Sequence, residues 1–107
     1  MSFIAVYITN PSETAARQIA ERLLGEKLVA CANIFPISSA YWWHGEIRHE
    51  GEYVVLAKSI PELWDALVEE VNRNHPYELP CLMRFDVTAN EAYEHWIRKE
   101  VEQKERV

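Results

Sequence analysis

A chain of 107 residues, 49% of them hydrophobic, can bury one modest core, so residues 1–107 read as a single domain. A net charge of −6 leaves no basic stripe to neutralise phosphates, which excludes nucleic acid as the expected partner. The two cysteines, Cys31 and Cys81, are too few and too far apart for a secreted disulfide scaffold; no basic leader and no apolar run long enough to span a bilayer is present, so the expected location is the cytoplasm, with no membrane contact.

Phe3 to Thr9 is nearly continuous apolar sequence, as expected of a central strand buried on both faces. Asn10-Pro11-Ser12-Glu13 stops it and opens a helix, capped by Asn10 or by Ser12. Ala16, Ile19, Ala20, Leu23 and Leu24 follow at helical spacing, and Gly25 is the expected left-handed end. From Leu28 to Lys58 run two arms rich in β-branched and aromatic residues, with a turn at Gly45-Glu46. Arms of a dozen residues at ~3.3 Å each give a hairpin on the order of 40 Å long. A compact chain of this size is roughly 35 Å across, so the hairpin overhangs its own domain. Tyr41, Trp42 and Trp43 lie on the overhang and are expected to form an interface between subunits.

Ser59-Ile60-Pro61-Glu62 reads as a capping box before a second helix with Leu63, Trp64, Leu67, Val68 and Val71 on its apolar stripe. That helix ends near Asn74, because His75 precedes a proline. The segment from His75 to Pro80 carries two prolines and reads as a rigid loop. Cys81 to Val87 alternates as a strand with one exposed side, and Thr88-Ala89-Asn90-Glu91 opens a third helix whose charged tail frays beyond Arg98. The order β-α-β-β-α-β-α predicts a ferredoxin-like α+β fold: a four-stranded antiparallel sheet, a long β2–β3 hairpin, an extra C-terminal helix, and helices covering one face.

Several side chains stand out chemically. His44 and His49 flank the hairpin turn with Glu46, Glu50 and Glu52 nearby, a set that could hold a divalent ion or simply be a solvated tip. His95 reads as surface. His75 is rigidly mounted between a helix end and two prolines, as a ligand or acid–base group would be; closing the last helical carbonyls is an equal reading. Cys31 reads as buried packing, and Lys58 either snorkels to the rim or anchors an anionic ligand. The antiparallel return predicts a pocket between subunits near Cys31, Asn33, Lys58, His75, Tyr77, Glu78 and Trp96. The competing reading makes Lys58 and Glu78 an ion pair that registers the subunits.

The ordered set Ala30-Cys31-Ala32-Asn33-Ile34, Ser39-x-Tyr41-x-Trp43-x-Gly45-x-Ile47, Glu52, Lys58, His75-Pro76-Tyr77-Glu78-x-Pro80 and Tyr93-x-x-Trp96 resembles the CutA family of divalent-cation tolerance proteins, over roughly residues 3 to 97. The resemblance implies a stable homotrimer similar in plan to the trimeric PII signalling proteins. It implies no enzymatic activity and a role in tolerance of copper and other divalent ions, with an unidentified regulatory partner or a small anionic ligand as further expectations. Two positions depart from the family: Ile8 stands where metal-binding relatives carry cysteine, and Cys81 where glutamate is common. The metal expectation therefore centres on His75, with Cys81 as a soft donor. Two other classes fit the topology, a PII-like binder of an anionic metabolite and a small acyl-phosphate hydrolase. The hydrolase needs an arginine in a phosphate loop, whereas Arg17 sits in a helix pattern.

Overall fold

The computed structural model describes residues 3–102. Its elements are β1 (Phe3–Asn10), α1 (Glu13–Gly25), β2 (Cys31–Trp43), β3 (Glu46–Ser59), a short 3-10 turn at Pro61–Leu63, α2 (Trp64–Asn74), β4 (Leu82–Val87) and α3 (Glu91–Glu100). The sheet is antiparallel throughout with order β2-β3-β1-β4, the ferredoxin-like arrangement.

Alternation along β1 divides the sheet into two faces. Ile4, Val6 and Ile8 are fully buried and pack with Ala16, Ile19, Ala20 and Leu23 of α1 and Leu67 and Val71 of α2. Phe3, Ala5, Tyr7 and Thr9 therefore point to the opposite face, which they share with Lys58, Leu56 and Val54 of β3 through the register Ala5↔Lys58, Tyr7↔Leu56 and Thr9↔Val54. The expectation that helices cover one face is corrected here. Tyr93 of α3 meets Phe3 edge-on at 6.0 Å and its hydroxyl lies 3.4 Å from the Cys31 thiol, so α3 crosses the second face at one end of the sheet. The helix continues past Arg98 to Glu100, with Ile97 and Val101 buried, so among the described residues the fraying expected beyond Arg98 does not begin there. Residues 103–107 lie outside the described residues.

The strand β4 is apolar on the bare side. Met83 and Phe85 are 44% and 49% exposed, while Arg84 turns to the helical side and lies over the Trp64 ring at 5.5 Å. The strand opens at Leu82 and not at Cys81, which stays in the preceding loop.

Local chemistry decides one open alternative and differs from the sequence expectation at two other ends. Ser12 is the cap of α1, its hydroxyl accepting from the Ala15 amide at 3.1 Å. The left-handed residue after that helix is Lys27, with φ 60°, two places beyond Gly25. Leu28 and Lys27 donate back to the Leu23 and Leu24 carbonyls, a Schellman closure that needs the left-handed residue there. Ser59 caps nothing: it is the last residue of β3, fully buried, and donates to the Leu28 carbonyl at 2.5 Å, while Pro61 begins the 3-10 turn.

The hairpin turn is His44-Gly45, one residue earlier than expected, closed by the pair Trp43↔Glu46. Both residues have positive φ, 51° and 79°, the geometry whose twist matches the flanking strands. Thirteen residues of β2 reach ~43 Å at strand rise, and the molecule is 47 × 33 × 22 Å. β2 is an edge strand along this whole length. Beyond the helices the hairpin is bare on both faces: Trp42 is 71% exposed opposite Ile47, and Tyr41 and Trp43 are half-buried on the other side. No atom lies within 4 Å of a Cβ built on Gly45, so replacing it brings backbone strain without a clash. Gly45→Ala is expected to cost about 1 kcal/mol, read as a lower urea midpoint at unchanged slope.

Candidate functional site

The loop from His75 to Cys81 wraps over the end of β1 onto the second sheet face, opposite the end that α3 covers. A cleft of about 720 Å³ lies between this loop and the overhanging hairpin. Tyr7 and Thr9 form its base, Ile37, Ser39, Tyr41 and Trp43 one wall, and Tyr77, Glu78, Leu79 and Cys81 the other, with Glu52 at the bottom. The β2 and β3 members share one face by alternation, since Ile37 pairs with Glu52 across the hairpin.

A chain of hydrogen bonds holds the loop. Nε2 of His75 lies 2.7 Å from the Thr9 carbonyl oxygen. That oxygen can accept only, so Nε2 carries the proton. Nδ1 then accepts from the Tyr77 amide at 3.0 Å, and the Tyr77 hydroxyl donates to Glu52 at 2.7 Å. Desolvation lowers the His75 pKa below its ordinary value, outweighing the Thr9 carbonyl and the Glu52 charge. Burial, then the Glu52 carboxylate, raises the Tyr77 phenol, and the same two causes in the same order raise the Cys81 thiol. Tyr41 is held above its usual value by hydrogen bonding to Glu50.

The residues predicted to form one pocket divide into two groups within a chain. His75, Tyr77 and Glu78 stand at the cleft. Cys31, Asn33, Lys58 and Trp96 stand at the α3 end, where Lys58 Nζ donates to the Asn33 amide oxygen and Tyr93 stacks on Trp96 at 5.8 Å. Hydrogen bonding to the Cys31 thiol, then burial, pushes the Tyr93 phenol up to about 12. Four residue steps along β1 separate Ala5, beside Lys58, from Thr9, beside His75, or ~13 Å. A Lys58–Glu78 ion pair or a pocket joining the two groups therefore has to join two chains.

The metal expectations meet the geometry differently. His75 spends both ring nitrogens on the backbone, so it has no lone pair free for a metal and does not fit as a ligand in this arrangement. His49 and Glu50 point to opposite faces of the hairpin, and Glu52 is turned into the cleft, so the tip set does not converge. Among the described residues no three His, Cys, Asp or Glu side chains come together to hold an ion. Arg17 lies on the exposed face of α1, within the helix and paired with Glu13 at 3.7 Å.

Residues 4–100 match the family described as CutA1 divalent ion tolerance protein. The chain belongs to that family. A divalent-cation tolerance protein CutA of Thermotoga maritima is 39% identical over 99 residues, covering 92% of this chain and 98% of its own length. The Pyrococcus horikoshii CutA is 38% identical over 91% of this chain and 96% of its own. Among solved structures, CutA1 from Oryza sativa superposes with a TM-score of 0.92 at 34% identity, covering 97% of each chain. The periplasmic divalent cation tolerance protein CutA of Archaeoglobus fulgidus gives 0.91 at 38% identity, covering 94% and 99%.

The sequence reading named the loop side of the cleft and missed Tyr7, Thr9 and Ser39. It also left Glu52 at the hairpin tip. The available signal was parity: Glu52, Val54, Leu56 and Lys58 are alternate residues of one strand, so they share a face. The hydrogen-bonded histidine sets a pH dependence. His75 accepts at Nδ1 while neutral and its folded pKa is depressed, so the unfolded chain binds the proton more readily. Its contribution to stability is present above the ordinary value of 6.5 and is lost as pH falls through the lower folded value. Urea titrations from about pH 7 to about pH 5 should show falling stability in the native chain and a flatter profile in His75→Gln.

Proposed function

We propose that this CutA-family chain works as a cytoplasmic, non-enzymatic homotrimer in the response to divalent metal ions, copper among them. The observation that carries the assembly reading is the hairpin: a 13-residue edge strand extends past its own helices with Trp42 71% exposed. Met83 and Phe85 leave a second apolar area on the bare part of the sheet. Apolar surface in two separated places suits a head-to-tail contact that closes into a ring, because the hairpin of one chain can cover the sheet face of the next. The metal-response reading rests on family membership, and a non-enzymatic role is in keeping with a family described by ion tolerance.

Native mass measurement is expected to give three chains per particle. Trp42→Ala is expected to weaken association by about 2 kcal/mol per subunit, through lost burial of the indole. A stable wild-type monomer at micromolar concentration by light scattering overturns the assembly reading. Because the His75 nitrogens are already engaged, copper titrated into His75→Ala should bind as it does to the native chain, whereas Cys81→Ser should weaken any binding present, through loss of the soft donor. The reverse pattern, with His75 required and Cys81 dispensable, overturns this account of the donors.

A further inference from the structure

We propose that Lys58 of one copy enters the cleft of the next and pairs there with Glu52, so that the cleft is completed by a second chain. This pairing rests on the head-to-tail assembly reading and names the polar contact that fixes its register.

Glu52 supplies the acid. It is 8% exposed and takes one hydrogen bond, from Tyr77, although a carboxylate offers about four acceptor positions. Its basic neighbour is His75. Burial holds that ring neutral near neutral pH, although the Glu52 charge pulls the other way, and its Nε2 donates to Thr9. A carboxylate this far from water is stabilised when a charged donor reaches its open positions. Glu78, the other acid of the cleft, is exposed and solvated.

Lys58 supplies the base. Parity places it on the same bare face as Glu52, but six residue steps along β3, or ~20 Å, keep the two apart within a chain. Each described arginine stands beside a carboxylate, including Arg48, which parity puts on this face of the hairpin and which Glu46 meets at 3.9 Å. Lys58 takes part in none of these pairs. Its ammonium donates to the Asn33 amide oxygen, a neutral acceptor that leaves the charge unmatched. The apolar surfaces bring acid and base together. Tyr41 and Trp43 wall the cleft above Glu52, while Phe85 shares a cross-strand row with Lys58, since both flank Ala5. A hairpin seated on Phe85 of the next chain therefore carries the acid of the first toward the base of the second. With acid and base at opposite ends of one face, a closed head-to-tail ring matches every Lys58 with a Glu52.

The test is a double-mutant cycle on the full chain, with association read by native mass measurement and by light scattering on dilution. Lys58→Met and Glu52→Gln are each expected to weaken association roughly a hundredfold, since each leaves one charge buried and unmatched. The double substitution should lose far less than the two losses multiplied, because neither charge remains. The exchanged pair, Glu52→Lys with Lys58→Glu, should assemble, whereas either reversal alone should not. Losses that simply multiply, or a trimer that Lys58→Met leaves untouched, overturn the proposal while the assembly reading stands. Coupling of Lys58→Met to Glu78→Gln in place of Glu52→Gln overturns it too. A native chain that is monomeric at micromolar concentration overturns both readings. Carbodiimide coupling of the native protein, which joins a lysine to a carboxylate in contact, decides the matter even where Glu52→Gln does not fold. Linked chains should carry a Lys58–Glu52 junction on mass mapping, and linkage only at other pairs overturns the proposal.

Discussion

The register of β2 on β3 is the constraint on which the remaining features depend. The two strands pair without a bulge from Cys31↔Lys58 to Trp43↔Glu46. Because side chains alternate, that unbroken ladder assigns every hairpin residue to a face by parity. A slip of one residue would send Tyr41, Trp43 and Ile37 to the outer side and bring Trp42 inward, leaving the cleft without a wall. The positive φ values at His44 and Gly45 fix where the ladder closes, and so fix its phase.

The same parity explains how far the fold was legible in the sequence. Strand and helix order, the hairpin and the apolar stripes of α1 and α2 follow from local patterns, because those patterns encode the faces that are buried. Helix ends were less legible. Ser59-Ile60-Pro61-Glu62 has the composition of a capping box, yet the β1–β3 pairing claims Ser59 as a strand residue and its hydroxyl is spent on Leu28. Gly25 looked like the left-handed residue because glycine carries no Cβ penalty, but the closing bonds require that conformation at Lys27. In both cases a longer-range contact outweighed a local preference.

The candidate site was half legible for a related reason. Two prolines announce a rigid loop, and the loop is where His75 and Tyr77 stand. Which strand residues face that loop depends on how far the loop travels across the sheet, and no local pattern records that. His75 itself shows how composition misleads. A rigidly mounted histidine invites assignment as a ligand, whereas here the ring is a spacer between two backbone groups: it donates to β1, accepts from its own loop, and so ties the loop to the end of a central strand.

The unpaired outer side of β2 has a consequence for the life of the newly made chain. An edge of 13 residues presents a row of backbone donors and acceptors to any other extended chain, the geometry from which runaway strand addition starts. Pro36 stands within that row and has no N–H to offer, so it interrupts the template near its middle. Under the proposed assembly, the folded single chain, with this edge and the tryptophan tip both uncovered, is the most vulnerable species on the route to the trimer. Speed of association then matters to yield as much as the strength of the final contact.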